Sequence, residues 1–314
     1  MKSRELAAGV VLGAILLILL FAAPAFFAPD NLRDLLLNSA GVMLVALGMT
    51  LVIVAGHIDI SVGSQFAAAS IAAGLLAKAG LPMPLVGLLV LALGALLGAA
   101  NGLLITRLKI PSIVVTLATM IILRDLLRWT TEGAWVQNLP VGFQWAGLGQ
   151  TAGSVLILVK TLVAILLVAW CLRNLSAGRQ LFAIGSNPDA AVLAGIRTDA
   201  VVTGVFVIMG ILSAAAAMLN AIRFSEVPGN PGAGLELKAI AAVVVGGASI
   251  TGGRGTVGGT VLGVLLLSVI GSALTYLGIN PYWEKAVQGV ILLAAAASEA
   301  VRQSRGLKGA YASR

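Results

Sequence analysis

The chain holds one histidine, His57, two residues from Asp59 in the run GHIDIS at 56–61. An imidazole and a carboxylate this close can relay a proton, and an ionisable residue in or near a membrane segment marks function by default. The same stretch carries Gly56, Ser61 and Gly63, which read as a break between two helices. Asp59 therefore caps the following helix, makes a gating contact or carries a proton. A single histidine without a nearby ligand set gives no metal site. The one cysteine, Cys171, allows neither an intrachain disulfide nor a cysteine metal cluster. The carboxylates are otherwise scattered, and no set of residues reads as a covalent catalytic centre.

Gln65, Asn101, Thr116, Asn220 and Glu226 are polar groups in or at the ends of apolar runs. They either line a solute path or bond neighbouring helices to each other. Gly94, Gly98 and Gly102 recur at spacing four, as do Gly255, Gly259 and Gly263, which gives helix faces on which another helix can approach closely. The run GGRGTVGG at 252–259 superficially suggests a phosphate loop. No G-x-x-x-x-G-K-[ST] occurs, so ATP binding by this chain is not expected.

Residues 185–196 read GSNPDAAVLAGI. Ser186 or Asn187 can cap a helix, Pro188 suits its first turn, Asp189 complements the positive end of its dipole and Gly195 can close it. Ala190 and Ala191 begin its small apolar body. So short a helix is not stable alone in water and needs a surface to pack on, either the chain's own bundle or a partner's groove.

The elements that position these residues follow from composition. Of 314 residues, 59% are hydrophobic and 10% charged, with mean hydropathy +1.05. An ordinary soluble domain has roughly 25% charged residues. The apolar residues come in blocks of about 20, the length of a helix crossing a roughly 30 Å hydrocarbon core. An all-α integral membrane protein is expected, with one membrane domain over 1–314 and about ten transmembrane helices near 6–27, 38–56, 62–79, 85–105, 111–128, 153–172, 200–222, 236–250, 258–277 and 285–301. The first run resembles a signal peptide, but its apolar stretch is longer than usual and reads as an uncleaved helix. Lys2, Arg4, Arg107, Lys109, Arg173, Arg179, Arg197, Arg254, Arg302, Arg305, Lys308 and Arg314 are twelve of the 20 basic residues, and all fall on the side of the termini. Both termini are thus expected in the cytoplasm. The net charge of +8 reads as this orientation signal and as attraction to anionic lipid, not as nucleic-acid binding. Trp129, Trp135 and Trp145 in the long outer stretch 129–152 are interfacial anchors or contacts for an external partner.

Asp189-Ala190-Ala191, with Gly195 four positions on, resembles the Glu-Ala-Ala-x-x-x-Gly coupling motif of ABC importer permeases, with Asp in place of Glu and no Leu-Pro tail. GHIDISVGS at 56–64, KIPSIVVTLATMIILR at 109–124, GRQLFAIGSNPDAAVLAGI at 178–196 and the glycine-rich run 231–263 resemble the ribose, xylose, rhamnose and autoinducer-2 branch of that family. The likeness extends from about residue 36 to 300. WVQNLP at 135–140 and PYWEK at 281–285 look most like the rhamnose and autoinducer-2 members.

This resemblance implies a permease subunit in a bacterial inner membrane, paired with an identical or paralogous second subunit around a solute pathway. Residues 173–199 become a cytoplasmic coupling loop. An ATPase subunit carrying ATP and Mg docks on 187–196, and a periplasmic binding protein delivers a sugar-like solute to the outer loops 129–152 and 223–235. The chain has no cofactor of its own and does no covalent chemistry. The alternative is an ion-coupled secondary transporter of small polar solutes with a coupling proton on His57 or Asp59.

Overall fold

The computed structural model describes residues 2–280, 282–291, 293, 294 and 297. Among them the chain is helical with no strand, the single β-bridge joining Val136 to Val227. The helices are α1 (Lys2–Ala22), α2 (Pro29–Val54), α3 (Val62–Lys78), α4 (Met83–Leu108), α5 (Ser112–Thr131), α6 (Gln150–Asn174), α7 (Ser176–Ser186), α8 (Pro188–Leu193), α9 (Thr198–Ala221), α10 (Leu235–Val245) and α11 (Val257–Tyr276). Residues 283–291 are helical too, and the expected span at 285–301 lies partly outside the described residues.

Six of these helices, α1, α2, α4, α6, α9 and α11, are long and apolar enough to cross a bilayer, which makes this a multi-pass membrane protein. α3 has 17 residues, and α5 carries Arg124, Asp125 and Arg128. α10 has only 11 residues, about 16 Å of helix, where a full span was expected over 236–250. The chain leaves the helix at Gly246 and Gly247, the latter at φ +100°, although the apolar run continues to Ile250. α2 starts nine residues before its expected position, because Pro29 stands in its first turn and Asp30 complements its dipole there.

α2 is the central post. Over an 18-residue window it is 83% buried, against 11% for α1 and 17% for α6, whose apolar faces are left for lipid. α4 and α9 run antiparallel in the closest helix contact of the fold, and glycine is what permits it. A Cβ on Gly94 would collide with the Gly210 carbonyl, one on Gly98 with the Phe206 carbonyl, and one on Gly102 would come within 2.9 Å of the Thr203 backbone. Gly259 and Gly263 of α11 meet α10 similarly, at Gly246 and the Ala242 carbonyl. Gly255 precedes α11 and so belongs to no helical face. It lies against Val54 and Ala248 in the loop that enters the helix.

Candidate functional site

The chain breaks between α2 and α3 at 55–61, with Gly56 at φ +82° turning it back into the bundle. The α3 N-cap is Ser61, and Asp59 sits just ahead of it, fully buried. One Asp59 carboxylate oxygen accepts from the Ser61 amide (2.9 Å) and hydroxyl (2.6 Å), and the other accepts from Gln65 Nε2 (3.2 Å). This is an Asx turn leading into the helix. The Ser61 hydroxyl also accepts from Gln65 Nε2 (2.8 Å) and from Asn101 Nδ2 of α4 (2.9 Å), and Thr119 of α5 donates to Asn101 Oδ1 (2.6 Å). Thr116 Oγ1 accepts from the Ile60 amide at 3.2 Å. Asp59, Gln65, Asn101 and Thr116 are thus gathered into one buried junction of α3, α4 and α5. Ser61, read in the sequence only as part of the helix break, and Thr119 complete it; Thr119 does not stand out in the sequence because hydroxyls are common in apolar helices.

Beside this junction, the segment that follows α9 dips inward. Residues 222–234 leave the C-terminal end of α9 and reach the first turn of α3. There a Cβ on Gly63 would strike the Glu236 carboxylate and approach the Gly232 carbonyl within 2.7 Å. Gly63 lies about 22 Å from the C-terminal end of α3, counted along 15 residues to Lys78. α10 therefore begins deep inside the bundle, with Gly234 at φ +85° turning the chain into it. At its first turn Glu236 pairs with Arg124 of α5 at 3.6 Å, the side chains 11% and 19% exposed, and Arg124 also donates to Asn230 Oδ1 at 3.3 Å. This ion pair was not among the sequence candidates. Its partners lie far apart in the chain, and only the entry of 222–234 joins them. Glu236 Oε2 and Gln65 Oε1 are buried acceptors without a hydrogen-bond partner, and hydroxyl donors are what they would accept. A cavity of about 540 Å³ flanks α10 here, bordered by Gly232, Lys238, Tyr282, Glu284 and Gln288, with Lys238 paired to Glu284 at 2.9 Å.

His57, Asn220 and Glu226 do not join the junction. His57 packs its ring edge-on to Phe206 of α9, with centroids 6.1 Å apart. Asn220 lies in the last turn of α9. Glu226 accepts from Gln137 Nε2 (3.2 Å) at the exposed end of the bundle, next to buried Val136 and Val227, which exchange backbone hydrogen bonds. The stretch 129–152 is tied to 222–234 by these contacts and by the Trp145 amide on the Ile222 carbonyl.

At the opposite end of the bundle, α7 and α8 form a separate surface feature. Asn187 Oδ1 caps α8 by accepting from the Ala190 amide at 3.0 Å, Pro188 occupies the first turn, and Gly195 at φ +79° turns the chain out. Asp189 and Ala190 are exposed, and Ala191 alone is buried in this helix. Val192 and Leu193 are 58% and 89% exposed. α7 is fastened at Gly185, where a Cβ would collide with the Val54 carbonyl at the end of α2 and crowd the Gly253 amide. Gly253 itself donates to the Val54 carbonyl at 2.9 Å.

Residues 31–296 match the family described as "Branched-chain amino acid transport system / permease component". The chain belongs to this permease family. Over 93% of its length it is 36% identical to the autoinducer 2 import system permease protein LsrC of Enterobacter sp. (strain 638), covering 85% of that protein. It is 39% identical to LsrC of Salmonella typhimurium over 80% of this chain and 72% of the relative. It is also 36% identical to the galactose/methyl galactoside import permease protein MglC of Escherichia coli K12, over 94% of both. These relatives fall in the sugar and autoinducer-2 branch of ABC permeases that the motifs resemble. No solved structure matches the chain.

Proposed function

We propose that this chain is the membrane-spanning permease subunit of an ATP-driven ABC importer in a bacterial inner membrane, carrying a sugar or sugar-like solute such as autoinducer-2, rhamnose, ribose or galactose. In this reading the chain crosses the membrane ten times as one permease domain with both termini cytoplasmic. The loop 173–199 faces the cytoplasm, and 129–152 with the part of 223–235 around Glu226 faces a periplasmic binding protein. ATP and Mg belong to the partner ATPase, and a second permease subunit, identical or paralogous, completes the path. The named relatives support the solute class. So do the unpartnered acceptors Gln65 Oε1 and Glu236 Oε2, which suit a solute rich in hydroxyl donors.

The observation that carries the reading is α8. A six-residue helix cannot hold itself in water, and this one leaves Val192 and Leu193 uncovered outside the spanning helices. Such a surface suits docking of a partner protein. A push on α8 passes to α7 and, through the backbone contact at Gly185, to the end of α2 and the 55–61 turn. ATP-driven movement of the partner would thereby bias the Asp59 junction, as coupling between two sites requires.

Val192→Asp combined with Leu193→Asp is expected to leave the protein in the membrane at wild-type level while abolishing uptake and co-purification of the ATPase. Survival of both activities would sink the docking role. An ion-coupled secondary transporter predicts instead gradient-driven uptake by the purified chain alone, lost in Asp59→Asn.

A further inference from the structure

The end of the α4–α9 seam is closed by the Thr106 and Thr203 hydroxyls at 3.0 Å and by Lys109 on Asp199 at 2.8 Å. Alongside it lies a groove of about 880 Å³ whose walls include Leu103, Thr203, Gly204, Val207 and Ile196 and the edge of α8 at Val192, with Arg107 and Arg197 beside them. Leu103 is five residues from the end of α4 and Val207 nine from the start of α9, about 8 and 14 Å along the helices. Both helices are apolar spans, so the stretch of the groove along Leu103, Gly204 and Val207 lies within the hydrocarbon, while Arg107, Arg197 and Val192 stand at its headgroup edge. The carboxylate lining the groove, Asp199, is held by Lys109 at 2.8 Å. Arg107 and Arg197 have no ion-pair partner among the described residues. Two uncompensated guanidinium groups thus stand over an apolar trough that begins at headgroup depth. A free anion has no use for the trough, and a neutral lipid has none for the arginines.

We propose that this groove is a binding site for one anionic phospholipid, its phosphate between Arg107 and Arg197 and an acyl chain along Leu103, Gly204 and Val207. The site needs only that α4 and α9 cross a bilayer, and it stands whatever solute the chain carries. Gly204 gives an independent handle, because a Cβ there meets nothing within 4 Å and a larger side chain fills the trough without touching a charge.

The test is native mass spectrometry of the full chain in mild detergent, titrated with phosphatidylglycerol, with phosphatidylcholine of the same acyl chains, and with inorganic phosphate. Wild type is expected to retain phosphatidylglycerol in preference to phosphatidylcholine, with inorganic phosphate not displacing it. Arg107→Ala with Arg197→Ala should weaken phosphatidylglycerol binding roughly 30-fold, as loss of two basic contacts at a membrane surface implies. Arg107→Lys with Arg197→Lys should retain most of it, and Gly204→Leu should weaken binding with both arginines in place. Equal binding of the two lipids, displacement by inorganic phosphate, or unchanged binding in both the double-alanine and Gly204→Leu proteins would overturn the proposal. Variants that keep the lipid but lose a co-purifying protein would assign the groove to that protein instead. If the double-alanine protein cannot be recovered, Gly204→Leu alone decides.

Discussion

Along α4, one face meets α9 chiefly through glycine and backbone, with side-chain bonds only near its end at Thr106–Thr203 and Lys109–Asp199, whereas a neighbouring face sends Asn101 into a chain of hydrogen bonds that reaches Ser61, Asp59, Gln65 and Thr119. Adjacent residues, Asn101 and Gly102, serve the two contacts. Backbone packed on backbone has no second arrangement: a small shift gives either a clash or a void, and dispersion is lost at once. Amides and hydroxyls can exchange partners, and Gln65 already holds an unused acceptor. The comparison assigns rigidity to the seam and adaptability to the junction, with the half-span α10 and the inward-dipping segment 222–234 on the adaptable side.

The strongest test of that division is Gly98→Leu, which drives a side chain into the Phe206 backbone. A loss of about 3 kcal/mol in unfolding titrations in detergent is expected, at the upper end for overpacking. A mild effect would show that the seam can yield. Next, Arg124→Ala leaves Glu236 without its cation. About 2 kcal/mol is expected, reduced from the cost of breaking a fully buried pair because both groups keep some exposure, and Arg124→Ala with Glu236→Gln should recover most of it. Failure of the double variant to recover would show that Arg124 acts through packing.

Within the junction, Asp59→Ala removes the acceptor for three donors and should cost about 1.5 kcal/mol. Asp59→Asn should cost less than half as much, since Gln65 can turn its free Oε1 toward the new amide. Equal costs would mean that the junction cannot rearrange. The smallest effect belongs to Thr50, whose hydroxyl meets that of Thr260 between α2 and α11 at 2.6 Å. Thr50→Val should cost roughly 0.6 kcal/mol, the average for a side-chain bond between membrane helices.

The helices were legible because apolar blocks of bilayer length admit little else. Their ends were less so. The apolar run 239–245 continues into a glycine turn, so α10 looks about five residues longer at its C-terminal end than it is, while Asp30 and Arg33 hide the start of α2 behind polar residues that a helix end accepts readily. Local chemistry was readable where it is contained in a few consecutive residues: the α8 cap, proline and closing glycine all act within the nine residues 187–195. Asp59, Gln65, Asn101 and Thr116 were conspicuous as polar residues in apolar surroundings, yet nothing in any single span says that they meet while Asn220 and Glu226 do not. Arg124 and Glu236 were hidden more thoroughly, because their encounter depends on 222–234 entering the bundle and no local pattern announces that.

The spacing of the seam also restricts how the protein can change shape. Positions that admit a facing backbone occur once per helical turn on α4, at 94, 98 and 102, and are met in reverse order by 210, 206 and 203 on α9. The two helices therefore cannot slip by an ångström or two. The nearest alternative setting is a whole turn away, about 5.4 Å, and it strips one end of the seam of its opposite number. α4 and α9 form a toothed rack with a single engaged position, so any alternation between outward and inward openings must carry them together as one beam and place its pivots in the other helices.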